Sequence, residues 1–210
     1  MNWKNITIKQ YNEIFEILKD NTIDDSDNRM QLLSVIEGKG IDYYATMDYP
    51  VFLKELKKLD FIGEEIKPEM VKNHYRINNK RYDACLSPAQ ISAGQYMDFI
   101  NHLKNKKEMA YQLSAFLVPH KKEYGDYNIM EVINDINNNL SIVDATTLTS
   151  AFFLLFQIYV KSTLTYLVRM LKKEMKKPLM SVEKKEELIK TIQLYQDLVK
   201  NGGGGITLIK

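Results

Sequence analysis

Chemistry in this chain would have to come from three histidines, one cysteine and a few adjacent carboxylates. His74, His102 and His120 stand far apart, and none has a second ligand at the short spacing that brings two donors to one zinc ion. Cys85 has no local motif joining it to a histidine base, and a lone thiol is ordinarily a small buried hydrophobe. The carboxylate pairs Asp24-Asp25, Glu64-Glu65 and Glu186-Glu187 fall in polar loops or on a helix surface, where water solvates both charges. Gly38-Lys39-Gly40 lacks the spacing and the following Ser/Thr of a phosphate loop, and the four glycines at 202–205 have neither the lysine nor the helix. These residues predict no catalytic centre, no metal, no cofactor and no small-molecule substrate. The chain is expected not to be an enzyme.

The remaining signals concern surfaces. His74-Tyr75-Arg76 and Lys80-Arg81-Tyr82 interleave bases with aromatics, a pattern that can touch nucleic acid. A small ribbon with tyrosines packed inward and Arg76, Lys80 and Arg81 in water is the favoured explanation. Lys+Arg of 29 against Asp+Glu of 27 gives a net charge of +2, which disfavours bulk electrostatic binding of nucleic acid. After residue 201 the four glycines form a flexible tether. They lead into Ile206, Thr207, Leu208 and Ile209, a β-prone segment of the kind that adds to a neighbour's sheet edge. Arg76, Lys80, Arg81, Ile206, Leu208 and Ile209 are therefore the candidate interface residues.

The elements that must position them start from residues 141–175. No charge occurs between Asp144 and Lys161. Phe153, Phe156, Val160, Leu164, Leu167 and Leu171 recur at steps of three or four, and Leu148, Phe152, Leu155 and Tyr159 form a second row, which is helical spacing. Ser150, Gln157, Lys161, Thr165 and Arg169 leave only a narrow polar strip, so this helix should be covered on most sides. Its uncharged run falls short of the roughly 20 apolar residues of a membrane span, and no membrane is expected. Ser141 with Asp144 should cap its start. The basic cluster from Arg169 to Lys177 complements the dipole at its end, and Pro178 stops it.

Around it the pattern predicts shorter helices: one from Thr7, with Gln10 completing a capping box, one over about 29–37, and one from Pro50. Further helices should start near Ser92 and Asn105, the latter carrying Met109, Leu113, Phe116 and Leu117 inward to Pro119. Another covers about 127–137, and the last starts at Ser181 with Leu188, Ile192, Tyr195 and Val199 on one side. A hairpin over about 74–85 should turn at Asn78-Asn79, pairing Ile77 with Lys80 and Tyr75 with Tyr82 ring on ring. The expected fold is mainly α: a single-domain helical bundle over residues 1–200, wrapped around the long helix, with an inserted hairpin, followed by a Gly-rich tether and β-prone arm over 201–210. One cysteine fits a reducing compartment, and the N-terminus lacks the apolar core of a secretory signal.

Several stretches together resemble a structural protein of tailed bacteriophages, including the crAss-like phages. They are Ile6-Thr-Ile-Lys-Gln-Tyr-Asn-Glu-Ile, Tyr75-Arg-Ile-Asn-Asn-Lys-Arg-Tyr, Ile91-Ser-Ala-Gly-Gln-Tyr-Met-Asp-Phe, Leu113-Ser-Ala-Phe-Leu-Val-Pro with Tyr124-Gly-Asp-Tyr, and Leu140-Ser-Ile-Val-Asp-Ala with the Phe-rich helix. The resemblance implies a virion ring protein of the tail barrel or head–tail connector, made in the host bacterial cytoplasm. Its partners would be copies of itself, twelve in such rings, and neighbouring portal or tail ring proteins. Related proteins are tail assembly chaperones absent from the mature virion. A small DNA-contacting factor using Arg76, Lys80, Arg81 and the Arg169–Lys177 cluster is the third reading.

Overall fold

The computed structural model describes residues 1–20, 25–87, 90–105, 108–175 and 182–200. Among these the fold is mainly α, with nine α-helices and one small antiparallel sheet. Internal contacts group the chain into two compact units, Met1–Ala151 and Phe152–Lys210. The boundary falls inside the long helix.

The first unit opens with a 3-10 turn at Trp3–Asn5. Helix α1 (Ile8–Lys19) follows, with Thr7 and Gln10 forming the expected reciprocal capping box. Helix α2 runs over Asp25–Glu37, starting earlier than expected. Asp25 and Asp27 occupy its first turn, where carboxylates favour the positive end of the helix dipole, and Arg29 pairs with Asp25 at 2.8 Å. Two short helices follow, α3 (Ile41–Ala45), which the sequence did not indicate, and α4 (Tyr49–Leu56), with Pro50 in its first turn. A 3-10 segment, Lys57–Gly63, leads into irregular chain, and the Trp3 indole nitrogen holds that chain by donating to the Glu64 carbonyl at 2.9 Å.

The hairpin forms at the expected place, β1 (His74–Ile77) and β2 (Lys80–Ala84), with the expected register. A third strand joins it from a distance: β3 (Leu117–Pro119) pairs with β2, in the order β1-β2-β3. Between them lie α5 (Ala93–Lys104), capped by Ser92 and Gln95, and α6 (Met109–Ser114). Two expectations change here. Asn105 closes α5 rather than opening α6, which starts after Glu108. Helix α6 also stops at Ser114, before Phe116 and Leu117. The Gln95 amide donates to the Ala115 carbonyl at 3.0 Å and the Cys85 N–H to the Phe116 carbonyl at 2.8 Å. These bonds tie the two residues after α6 to α5 and to the chain after β2, and Leu117 turns into the sheet, fully buried.

Helix α7 (Ile129–Asn139) starts at its Asn128 cap and packs on α1 and α6. The chain then closes on its own beginning. The Ile142 N–H donates to the Ile6 carbonyl at 2.8 Å and the Ile8 N–H to the Leu140 carbonyl at 3.2 Å, a bridge centred on Thr7 and Ser141. Ile6, Ile8, Leu140 and Ile142 are all buried, so the clasp sits in the core.

The long helix is α8 (Ile142–Glu174), 33 residues. The Ser141 hydroxyl accepts from the Asp144 N–H and donates to its carboxylate, both at 3.1 Å, which is the expected cap. Its threonines are absorbed locally: the hydroxyls of Thr147, Thr149 and Thr165 donate to the carbonyls four residues back at 2.7–2.8 Å, so they cost an apolar helix little. Val143, Ala145 and Leu148 are buried in the first unit.

In the second unit Phe152, Phe153 and Val168 are buried, and Phe152 stacks on Phe156 at 6.0 Å between centroids. The polar strip is exposed as expected, but so are Leu154, Ile158, Tyr166, Leu167 and Met170. Cover on most sides, the sequence expectation, therefore lapses after Phe153 over much of the described helix, with Val168 buried again. The side chains of Tyr159, Val160 and Leu164 lie outside the described residues. Helix α9 (Val182–Lys200) completes the unit with Ile192 buried. Pro178, Ser181 and the side chains of Tyr195 and Val199 also lie outside the described residues.

Candidate interaction site

The hairpin turns because Asn78 and Asn79 adopt φ of 49° and 58°, the left-handed pair of a two-residue turn that matches strand twist. Period-2 alternation then buries Tyr75, Ile77 and Tyr82 and exposes His74 and Arg76. The expected ring-on-ring contact is replaced by separate anchors. The Tyr75 hydroxyl accepts from the Lys72 N–H at 3.2 Å, and the Tyr82 hydroxyl donates to Asp135 Oδ2 at 2.6 Å.

Asp135 of α7 is the hub of this junction. It is 6% exposed, and its carboxylate also accepts from Asn78 Nδ2 at 2.8 Å and Lys80 Nζ at 2.9 Å. Burial pushes the Asp135 carboxyl up, but the Tyr82 hydroxyl, the Lys80 ammonium and the Asn78 amide together outweigh it and hold it below its usual value. Burial, and then the adjacent carboxylate, push the Tyr82 phenol well up. The sequence carried a signal for this residue that was not read: Asp135 stands three positions after Val132 and beside Ile136, a carboxylate on the inner stripe of α7.

The basic residues expected at an interface are mostly engaged within the chain. Lys80 bridges Asp135 and Glu131, the latter at 2.5 Å. Arg81 Nε bonds Asp83 Oδ1 at 3.1 Å, and the other Asp83 oxygen lies 2.7 Å from His120 Nδ1. The His120 contact holds the Asp83 carboxyl below its usual value; desolvation opposes it, and the Arg81 contact adds to the lowering. Arg76 alone of the three makes no ion pair among the described residues. Ile206, Leu208 and Ile209 lie outside the described residues.

The groups considered for chemistry do not converge. Cys85 is half-buried and burial pushes its thiol up, away from thiolate reactivity. His102 meets Tyr111 edge-on at 5.7 Å. No group of three or more His, Cys, Asp and Glu that could hold a metal forms among the described residues.

Two surfaces stand out instead. The first is the outer edge of β1. In a two-residue hairpin Ile77 and Lys80 exchange both main-chain bonds, so Tyr75–Tyr82 does likewise, and the N–H and C=O groups of His74 and Arg76 point away from β2. Among the described residues nothing pairs with them. Beside that edge runs a groove of about 580 Å³, with Tyr75, Leu140 and Val143 among its lining. On its rim Lys4 pairs with Glu69 and Lys72 with Asp144, while Arg76 has no ion pair among the described residues. The second surface is the exposed apolar stretch of α8, where Leu154 is 59% and Ile158 56% exposed one turn apart. By length and composition α8 could cross a bilayer, a property that core and interface helices share.

Comparison of the chain with family models, curated proteins and solved structures finds no match in any of the three.

Proposed function

We propose that this protein is a structural subunit of a tailed bacteriophage virion, assembled into a ring in the tail barrel or head–tail connector. It would be made in the host bacterial cytoplasm and carry no catalytic activity. The phage setting comes from the sequence resemblance. The observation that supports assembly is the uncovered apolar stretch of α8, because aliphatic side chains grouped in water favour association with a partner surface. A head-to-tail interface between copies would close such a ring, twelve copies being what the resemblance implies, with portal or tail ring proteins above and below.

The second reading, a tail assembly chaperone, would use the same stretch of α8 to hold tube or tape-measure protein transiently. Mass spectrometry of purified particles separates the two: a ring component is present in stoichiometric amount, a chaperone absent. The DNA-contacting reading is weakened by Lys80 and Arg81, whose charges are already answered by Glu131, Asp135 and Asp83. Binding of duplex DNA that falls steeply with salt would restore it. Flotation with lipid vesicles would redirect the reading to a bilayer.

A further inference from the structure

If copies of this chain assemble, the segment after the glycine tether needs a seat, and β1 offers one. We infer that residues 206–209 of one copy add as a strand to the free edge of β1 in a neighbouring copy, a pairing that rests on the assembly reading above.

Several observations bear on that edge. His74 and Arg76 present unpaired main-chain donors and acceptors, which is the template that strand addition uses. β1 has four residues, and Ile206-Thr207-Leu208-Ile209 is a matching run of β-formers. Alternation puts Ile206 and Leu208 on one face, so that the pair would lie toward the groove beside β1, whose lining is mostly polar, with the buried Tyr75, Leu140 and Val143 among it. Four rim charges pair, Lys4 with Glu69 and Lys72 with Asp144, which leaves the exposed Arg76 guanidinium, without an ion pair among the described residues, as the charge an uncharged strand meets there. Residues 201–205 span at most about 17 Å when extended, which lets the strand leave its own body while keeping its local concentration at the next copy high.

A disulfide trap in the full chain tests this. Arg76→Cys would be combined in turn with Ile206→Cys, Thr207→Cys, Leu208→Cys and Ile209→Cys, in a Cys85→Ser background, using equal mixtures of light and heavy isotope-labelled chains. Addition between copies predicts a mixed-mass disulfide dimer at one or two of the four positions, because facing residues on adjacent strands meet disulfide geometry. No link at any position, or links only within one chain, overturns it. An independent arm is Thr207→Pro and, separately, Leu208→Pro in the otherwise native chain: successive N–H groups of a strand point to opposite edges, so one of the two prolines removes a ladder donor. That variant should lower the assembly constant about tenfold, the equivalent of one lost hydrogen bond. Rings unaffected by either proline overturn the strand addition and leave the assembly reading standing. A native chain that is monomeric at all concentrations and missing from particles overturns both.

Discussion

The Tyr82 hydroxyl donates to Asp135 at 2.6 Å, and this bond fastens the hairpin to a helix more than fifty residues away in sequence. Tyr82 is 1% exposed and Asp135 6%, so neither can exchange its partner for water. Replacing Tyr82 by Phe should cost about 1.5 kcal/mol, the range for a bond to a charged acceptor. Asp135→Ala leaves a buried phenol unpaired and should cost about 3 kcal/mol. Urea unfolding of both variants and of the double variant measures this, with the double expected to cost less than the sum because the residues share one bond.

Glu37 links α2 to Lys39, Lys58 and Tyr44. The Lys39 and Lys58 contacts hold its carboxyl down at about 2 from the usual 4.5. A carboxyl depressed in the folded state contributes stability that is present above its unfolded value and lost as pH falls through its folded one. Stability should therefore decline between about pH 5 and pH 2. Glu37→Gln should flatten that part of the curve, and added salt should do so partly, because Lys39 and Lys58 are partly exposed. Equilibrium unfolding across this pH range is the measurement.

Asn79 holds φ of 58° at the second turn position, where a β-branched residue meets its own carbonyl. Asn79→Val should lower stability by about 1–2 kcal/mol, whereas Asn79→Gly should be neutral or gain a few tenths. Thermal unfolding of the pair distinguishes turn strain from loss of a side-chain contact, which both variants would share.

Leu154 and Ile158 are exposed on α8. Replacing both by Lys should leave unfolding within about 0.5 kcal/mol of the native chain, as for surface positions, while lowering the assembled fraction in native mass spectrometry. Unchanged assembly with unchanged stability would move the interface elsewhere.

The parts legible in the sequence are those decided locally. The capping boxes at Thr7 and Ser92 are read from residues three apart, the hairpin register from Asn78-Asn79, and α8 from its uncharged run. The misread parts are decided at a distance. Phe116 and Leu117 follow Met109 and Leu113 at helical spacing, yet the N–H of Cys85, more than thirty residues back, claims the Phe116 carbonyl and helps draw that stretch into a strand. Lys80 looks free on a hairpin because its acids belong to α7, whereas the acid of Arg81, Asp83, stands only two positions on in the same strand and is open to reading. The open edge of β1 follows from strand order, which no single segment encodes.

The clasp between Ile6 and Ile142 has a kinetic meaning during synthesis. Ile6 and Ile8 find their main-chain partners only after some 130 further residues have been translated. Nascent chains halted before Leu140 should stay open to protease along α1, however well the hairpin has formed, and protection should arrive in one step once Ile142 clears the ribosome.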